Sequence, residues 1–348
     1  MTRTWFITGA NRGLGRAFTE AALGAGDRVV ATARDPRAMA ELNSGPSGDR
    51  LLTLPLDVRD RAAAAAVAHE AVERTGGIDV VVNNAGFGLV GAVEELSEEQ
   101  WREQMEVNFF GALWVSQAFA PHLRARGRGH IVQISTVGAV GAMPLFGAYN
   151  ASKWALEGFS AALAEELRPF GVHVTLAQLG GFDTDWAKSS MRFGSALPAY
   201  AGFRENILGM PDYPDPSMFA TETTTGTGTG ADSTGEHPAG APAEGAGPAG
   251  ADAGPSARTP GDEAGADEAG ADEAGADEEG ADEEGADEAD AWADAPPEVA
   301  ARALLALVDE PNPPLRKVIG PSAHQMVTLA LEARRADYLG DPAFVWPA

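Results

Sequence analysis

The sequence of 348 residues contains no cysteine, which excludes disulfide bonds, thiolate chemistry and cysteine-ligated metal sites. It also lacks an apolar run of about 18 residues, the length that a helix needs to span a membrane. The N-terminal residues lead directly into a short apolar strand and a glycine turn, without the long apolar segment of a secretory signal. We therefore expect a cytoplasmic protein that neither enters a membrane nor holds a metal ion.

Positive charge is also scarce, because 25 lysines and arginines stand against 51 acidic residues and leave a net charge of −26. Most of the excess lies between Thr221 and Ala295, where 21 acidic residues accompany a single arginine, and about −6 remains for the rest of the chain. No basic run interrupts this pattern. The sequence therefore predicts no nucleic-acid partner.

The acidic tract, residues 221–295, consists mainly of Gly, Ala, Thr, Pro, Asp and Glu and contains a five-residue repeat, GADEA. It has too few large apolar side chains to offset the entropy of ordering, and its charges repel one another. We interpret it as a disordered insertion that serves as a solvated spacer, with recruitment of a basic partner as the alternative. Residues 1–220 would then form one domain that residues 296–348, too few for a core of their own, complete with helices and a last strand.

Outside the tract, short apolar segments typical of buried strands alternate with segments typical of helices. TWFIT at Thr4–Thr8 and RVVATA at Arg28–Ala33 are examples of the strand-like runs. Apolar strands separated by helices predict a parallel sheet that is buried on both faces, and hence an α/β protein. The longest predicted helices run from about Glu98 past Phe119 and from Tyr149 to Phe170.

The first strand is followed by TGANRGLG, in which three glycines stand directly before and within a predicted helix start. Glycine permits a tight turn and lets backbone N–H groups approach a phosphate, while the helix N-terminus favours negative charge. A plain turn would use the same residues, but strand, turn and helix stand where a dinucleotide site needs them. The predicted cofactor contacts in this stretch are Gly9, Asn11, Arg12, Gly13, Leu14 and Gly15.

The end of the second strand indicates which dinucleotide would bind. A NAD site normally offers an acid there to the ribose 2′-hydroxyl, whereas this sequence has Arg34. Guanidinium groups at Arg34 and Arg12 suit a 2′-phosphate, and so NADP(H). Two solvated arginines are the alternative, and the neighbouring Asp35 keeps NAD(H) as the second choice.

The stretch GAYNASKWALEGF places Tyr149 four residues before Lys153 at the start of a predicted helix. This spacing puts the two side chains on one helix face. An ammonium group beside a phenol favours the phenolate and lowers the pKa of the phenol towards the range useful for proton transfer. The pair therefore predicts a tuned acid/base, with a structural tyrosine as the alternative.

Six motifs in order make the sequence similar to the short-chain dehydrogenase/reductase family. They are TGANRGLG, the pair Leu56-Asp57, NNAG at Asn83–Gly86, Asn108 in EVNFFG, IST at Ile134–Thr136 and YNASK. They cover the chain up to about residue 185, and the acidic tract matches nothing in the family. The resemblance implies a Rossmann-type doubly wound parallel sheet in an NAD(P)-dependent oxidoreductase that forms a homodimer or homotetramer.

The resemblance also implies roles for individual residues. Tyr149 would exchange a proton with the substrate oxygen, and Lys153 would lower the pKa of Tyr149 and bond the nicotinamide ribose. Asn108 would hold a water that relays protons from Lys153. The remaining implied cofactor contacts are Asp57 and Val58 beside the adenine, and Asn83, Ala85 and Gly86 along the cofactor.

Two positions depart from the family pattern. A serine is usual thirteen residues before the tyrosine, but Thr136 stands there and Ser135 precedes it. Because neighbours on a strand point to opposite faces, we assign the substrate-orienting hydroxyl to Thr136 and keep Ser135 as the second candidate. Leu179 stands where the family commonly has proline, near the implied nicotinamide contacts Gly180 and Thr184.

We therefore predict an oxidoreductase that transfers hydride between NADP(H) and a small ketone, aldehyde or alcohol of apolar character. An NADP(H)-binding sensor with little turnover is the alternative, which the departures at Thr136 and Leu179 favour. Apolar residues that would form the substrate pocket, or equally the core, are Phe182, Trp186, Met191 and Phe193, with Leu89, Val90, Met143, Leu145 and Phe146.

Overall fold

The computed structural model describes residues 2–43, 48–184, 190–214, 295–343 and 345. The predicted disordered tract lies outside these residues apart from Ala295, and so does Trp186 of the predicted substrate pocket. The strands are β1 Thr4–Thr8, β2 Arg28–Ala33, β3 Leu51–Pro55, β4 Val80–Asn83, β5 Gly88–Val90, β6 Gly129–Thr136, β7 Val172–Leu179, β8 Met191–Phe193 and β9 Arg316–Ile319. The helices are α1 Gly13–Gly24, α2 Ala40–Asn43, α3 Arg61–Thr75, α4 Glu98–Met105, α5 Gly111–Arg126, α6 Gly147–Leu167, α7 Ala201–Leu208, α8 Pro297–Asp309 and α9 Ala323–Leu339.

Within the described residues, seven strands form one sheet in the order β3-β2-β1-β4-β6-β7-β9, and every neighbouring pair is parallel. The chain starts in the middle of the sheet, moves outward to β3 and returns past β1 to β4. A crevice forms where this order reverses, at the carboxyl ends of β1 and β4. The predicted Rossmann-type doubly wound sheet is confirmed, and β9 comes from the chain beyond the acidic tract.

Both faces of the sheet are covered by helices, as the apolar strands predicted. In β1, Trp5 and Ile7 lie in a core with buried residues of α1 and α8. Phe6 points to the other face and packs in a core with α3 and α5, where its ring centroid lies 4.6 Å from that of Phe119. No helix in the described part of the chain combines the length and the apolar character that crossing a membrane requires.

The structure differs from the predicted elements at two places near the carboxyl ends of the strands. The predicted long helix after Glu98 is divided into α4 and α5 by a π-helical turn at Glu106–Phe110. The segments β5 and β8 pair as a separate two-stranded parallel sheet. Neither feature leaves a periodic pattern in the sequence, because three paired residues and one widened helical turn are too short to produce one.

A buried histidine in β6 makes the fold sensitive to acid. His130 is 6% exposed, and its Nε2 lies 2.9 Å from the Thr175 hydroxyl. Burial, helped by the positive charge of nearby His173 and Arg3, lowers the pKa of His130 to about 3. Below the ordinary histidine pKa of about 6.5, the unfolded chain binds a proton that the folded protein does not, so stability falls as pH drops from there towards 3.

We therefore expect His130→Gln to flatten the pH dependence of stability. Between pH 7 and pH 4.5, the free energy of unfolding should fall by about 2 kcal/mol more in the wild type than in this variant, since glutamine does not titrate. Urea titrations at the two pH values measure the difference. His69→Gln is the control, because the His69 side chain is 74% exposed; equal pH dependence of all three proteins would contradict the prediction.

Candidate active site

A cavity of about 850 Å³ lies at the carboxyl ends of the central strands. It is bordered by the turn after β1, the loop after β4, the end of β6, the start of α6 and the residues after β7. Most predicted site residues line it: Gly9, Asn11, Arg12, Gly13, Leu14, Arg34, Asp57, Val58, Ala85, Gly86, Ser135, Thr136, Tyr149, Lys153, Gly180 and Thr184. Gly15, Asn83 and Asn108 are not part of its lining.

The turn between β1 and α1 brings backbone rather than side chains to the cavity. Gly9 and Gly13 have φ values of +65° and +52°, in the left-handed region that favours glycine. Helix α1 begins at Gly13, so its first turn, with backbone N–H groups that have no partner inside the helix, borders the cavity. Gly15 has a packing role instead. A Cβ at this position would lie 2.2 Å from the carbonyl oxygen of Gly9 and would push helix α1 away from the turn.

Of the two charged residues that end β2, only the arginine lines the cavity. Arg34 borders it, whereas the Asp35 carboxylate accepts a hydrogen bond from the Arg37 backbone N–H at 2.9 Å and pairs with the Arg37 guanidinium at 2.8 Å. The hydrogen bonds from Arg37 lower the pKa of Asp35. Asp35, the acid for which NAD(H) was kept as the second choice of cofactor, is thus hydrogen-bonded to Arg37 within its own turn.

A second arginine, which the sequence interpretation missed, stands beside Asp57. Arg59 lines the cavity and forms a bidentate pair with the Asp57 carboxylate, with a shortest N–O distance of 2.6 Å. The hydrogen bond from Arg59 lowers the pKa of Asp57, and the charge of Arg34 acts in the same direction. The cationic groups beside Asp57 therefore include Arg34 and Arg59, and Arg12 also lines the cavity.

Helix α6 brings Tyr149 and Lys153 together with the end of β6, as the spacing predicted. The Lys153 ammonium donates to the backbone oxygen of Ile134 at 2.7 Å and lies 5.9 Å from the centre of the Tyr149 ring. The Tyr149 hydroxyl is hydrogen-bonded to the Thr136 side chain. A phenol, a second hydroxyl and a cation therefore meet at one place in the cavity.

The pKa of Tyr149 differs from the prediction. Burial raises the pKa of Tyr149 to about 12, and only the hydrogen bond with Thr136 opposes this rise. The expected lowering of the Tyr149 pKa by Lys153 is wrong for the protein alone, since the ammonium is directed to the Ile134 carbonyl rather than to the phenol oxygen. Burial also lowers the pKa of Lys153 to about 8, against the opposing charge of Glu157.

The two neighbouring hydroxyls of β6 point to different partners. Ser135 is buried and its hydroxyl donates to the Glu157 carboxylate at 2.8 Å. Thr136, one residue later, bonds Tyr149 instead. This is the alternation expected of a strand, and it separates the two candidates that the sequence left side by side.

Two predicted asparagines face partners inside the protein. Asn108 lies in the π-helical turn, where its Oδ1 accepts from the Phe87 N–H at 3.1 Å and its Nδ2 donates to the Phe87 carbonyl and the Ser152 hydroxyl. Asn83 donates to the Ser116 hydroxyl on α5 at 3.0 Å. Its neighbour Asn84, which the sequence interpretation passed over within NNAG, lines the cavity in its place.

The remaining wall of the cavity is largely apolar. Phe146 precedes α6 and follows Leu145, a buried non-glycine residue with a left-handed φ of +66°. Among the predicted pocket residues, Met143, Phe146, Phe182 and Met191 line the cavity. The lining also includes residues for which the sequence contains no signal, namely Phe87, Glu103, Asn150, Ser190, Arg192 and Met326.

Solved structures share this fold. A short-chain dehydrogenase from Streptomyces avermitilis aligns with a TM-score of 0.69 at 28% identity over 98% of this chain and 96% of its own. A short-chain dehydrogenase/reductase from Burkholderia phymatum in complex with NAD aligns with a TM-score of 0.51 at 30% identity, over 53% of this chain and 68% of its own. An alcohol dehydrogenase from Thermococcus sibiricus complexed with 5-hydroxy-NADP also has a TM-score of 0.51 at 30% identity, over 55% of this chain and 82% of its own.

Sequence comparison leads to the same group of enzymes. The family model described as short chain dehydrogenase matches residues 3–193. The oxidoreductase BOA17 of Botryotinia fuckeliana is 42% identical over 200 residues, which are 58% of this chain and 73% of that protein. With the parallel sheet and the cavity at its switch point, these matches establish that the chain belongs to the short-chain dehydrogenase family and is an oxidoreductase.

Proposed function

We propose that the protein is an NADP(H)-dependent oxidoreductase that interconverts an apolar ketone or aldehyde with the corresponding alcohol. The observation that carries this proposal is the meeting of the Tyr149 phenol, the Thr136 hydroxyl and the Lys153 ammonium in the same cavity as the glycine turn. Met143, Phe146 and Met191 give the cavity an apolar wall, which favours an apolar substrate.

The cavity suits a dinucleotide. Its volume of about 850 Å³ exceeds that of many small-ligand pockets, and the backbone at Gly9 and Gly13 leaves room for a phosphate against the first turn of α1. A Cβ at Gly86 would stand 3.2 Å from Asn108 Oδ1, so this wall is reduced to backbone. These features support the binding of a nicotinamide dinucleotide along this side of the cavity.

The charges favour NADP(H) over NAD(H). Arg34 and Arg12 both line the cavity, and their positive charges favour the cofactor that carries the additional negative charge of a 2′-phosphate. Asp35, the residue that would compete for a ribose hydroxyl, pairs with Arg37. The two solved relatives contain NAD and 5-hydroxy-NADP respectively, so the preference rests on the charges in this chain.

In the reductive direction, bound NADPH supplies the hydride that the carbonyl carbon accepts. The Thr136 hydroxyl donates a hydrogen bond to the carbonyl oxygen and polarises it. Tyr149 gives its proton to that oxygen, so that the phenol O–H bond breaks as the alcohol O–H bond forms. The raised pKa of Tyr149 keeps the phenol protonated at neutral pH, which suits the acid, and an alkoxide is still basic enough to take the proton.

Lys153 and Asn108 support the proton transfer. The Lys153 ammonium lies 5.9 Å from the centre of the Tyr149 ring, and it would stabilise the phenolate that remains if it turned from the Ile134 carbonyl towards the phenol oxygen when cofactor and substrate bind. A water that returns protons from Lys153 would bind the backbone carbonyl of Asn108, because the side chain is committed to Phe87 and Ser152. The π-helical turn departs from the regular hydrogen-bond pattern of a helix at this position.

A direct assay tests the proposal. The protein is incubated with NADPH or NADH and a panel of apolar ketones and aldehydes, while the absorbance of the reduced cofactor is followed. We expect turnover with NADPH on part of the panel. Tight NADPH binding without turnover would support a sensor instead, and failure to bind either cofactor would overturn the assignment.

The hydroxyl of Thr136 has a measurable share in turnover. Thr136→Val keeps the shape of the side chain but removes the donor, and we expect kcat/KM for the carbonyl substrate to fall about tenfold to thirtyfold. Thr136→Ser keeps the hydroxyl and is the matched control, expected to retain wild-type activity. Equal loss in both variants would show that any change of the side chain at this position disturbs the site, and would contradict a specific role of the hydroxyl.

A further inference from the structure

The buried carboxylate of Glu157 lies near the Tyr149–Lys153 pair and has no role in the reaction proposed above. Glu157 is 7% exposed and lies one helical turn after Lys153 on α6. It accepts hydrogen bonds from the Ser135 hydroxyl at 2.8 Å, from Gln178 Nε2 at 3.0 Å and from Arg316 Nε at 2.8 Å. The three donors come from β6, β7 and β9, so one carboxylate ties α6 to three strands.

Lys153 and Glu157 form hydrogen bonds with consecutive residues of the same strand, β6. The Lys153 ammonium binds the carbonyl oxygen of Ile134, and the Glu157 carboxylate binds the hydroxyl of Ser135. Thr136, the next residue, carries the hydroxyl that bonds Tyr149. A shift of Glu157 relative to β6 would therefore also move Lys153 and the hydroxyls of Ser135 and Thr136.

Within the residues that the structure describes, Glu157 is the source of negative charge that acts on Lys153. From its own helix the charged or titratable groups are Tyr149 and Glu157, and Glu157 opposes the effect of burial on the pKa of Lys153. From β6, the Lys153 ammonium meets the backbone oxygen of Ile134, which is neutral. Arg316 lies on the far side of Glu157, where it partly offsets that negative charge.

We propose that Glu157 is a positioning residue for Lys153, which holds the lysine in its protonated form and in register with β6. Arg316, on the strand that the chain beyond the acidic tract contributes, moderates this effect by pairing with Glu157. The consequence of this positioning of Lys153 for turnover rests on the function proposed above. The charge effect itself is a property of the protein without substrate and is tested separately.

Lysine titration by NMR tests the charge effect directly. The chain contains only three lysines, Lys153, Lys188 and Lys317, so lysine labelled with carbon-13 at Cε gives three signals, and Lys153→Arg identifies one of them. We expect Glu157→Gln to lower the midpoint of Lys153 titration by about one pH unit. Glu165→Gln makes the same change on an exposed position of the same helix, with 69% of the side chain exposed, and should leave the midpoint unchanged.

Arg316→Gln distinguishes a charge effect from loosened packing. Removal of its positive charge should raise the Lys153 midpoint by a few tenths of a pH unit, a smaller change because the Arg316 side chain is 47% exposed. Loosened packing would change the midpoint in the same direction in both variants. An unchanged midpoint in Glu157→Gln, or a fall in Arg316→Gln, would overturn the proposal.

The pH profile of turnover then shows whether the charge matters for the reaction. If it does, the alkaline limb of kcat/KM moves to lower pH in Glu157→Gln by the same amount as the Lys153 midpoint. A shifted midpoint with an unmoved limb would overturn the catalytic consequence and leave the charge effect standing. Absence of turnover in the wild type would count against the proposed function alone, because the NMR titration needs no substrate.

Discussion

Replacement of Tyr149 by phenylalanine should reduce NADPH-dependent carbonyl reduction by about a thousandfold and leave the affinity for NADPH within a few-fold of the wild type. The substitution removes one oxygen atom. It keeps the ring, which lies 6.3 Å from that of Phe146 in an edge-to-face contact, so the cavity wall retains its shape. The loss would therefore come from the missing proton donor.

Turnover and binding are measured on the same preparation, by the absorbance of the reduced cofactor and by its fluorescence on titration. The chain has four tyrosines, and Tyr338→Phe is the matched control because Tyr338 is 55% exposed on α9. The control should behave as the wild type. Turnover of Tyr149→Phe within tenfold of the wild type would rule out this phenol as the acid.

Replacement of Arg34 by alanine should lower kcat/KM with NADPH about a hundredfold and leave kcat/KM with NADH nearly unchanged. A guanidinium paired with a phosphate is a charge-assisted interaction worth roughly 1.5–3 kcal/mol, which corresponds to this change in rate. The effect is specific to NADPH because the two cofactors differ only in the 2′-phosphate. Both cofactors are compared at limiting concentration with one saturating carbonyl substrate.

Arg168→Ala provides the matched control for Arg34→Ala. It removes the same charge, but the Arg168 side chain is 74% exposed and pairs with Glu165 outside the cavity lining. We expect the preference for NADPH to survive this change. An equal loss with both cofactors in Arg34→Ala, or a wild type that prefers NADH, would contradict the placement of the 2′-phosphate near Arg34.

The fold was accessible from the sequence because its strands are continuous apolar runs. TWFIT and RVVATA correspond residue for residue to β1 and β2. A parallel strand buried on both faces must be apolar throughout, so its pattern is visible in a single sequence. The π-helical turn at Glu106–Phe110 was not accessible, because its Asn108 bonds Phe87 in the loop after β4 and Ser152 on α6, which are distant in the chain.

The proximity of Tyr149 and Lys153 was accessible for a similar reason. Tyr149 and Lys153 are four residues apart, and helical geometry alone places them on one face. The different partners of Ser135 and Thr136 also agree with the two-residue period of a strand. Local geometry was thus sufficient to predict which side chains of a single helix or strand lie on the same face.

What the sequence by itself determined is therefore the order of the elements, the parallel sheet and the spacing of residues within one helix or strand. The tertiary structure alone decided that Asn84 rather than Asn83 reaches the cavity and that burial raises the pKa of Tyr149. It also decided that Arg316, some 160 residues after Glu157, pairs with that carboxylate. These features depend on contacts between segments distant in the chain and on the exclusion of water, and neither is encoded in the spacing of neighbouring residues.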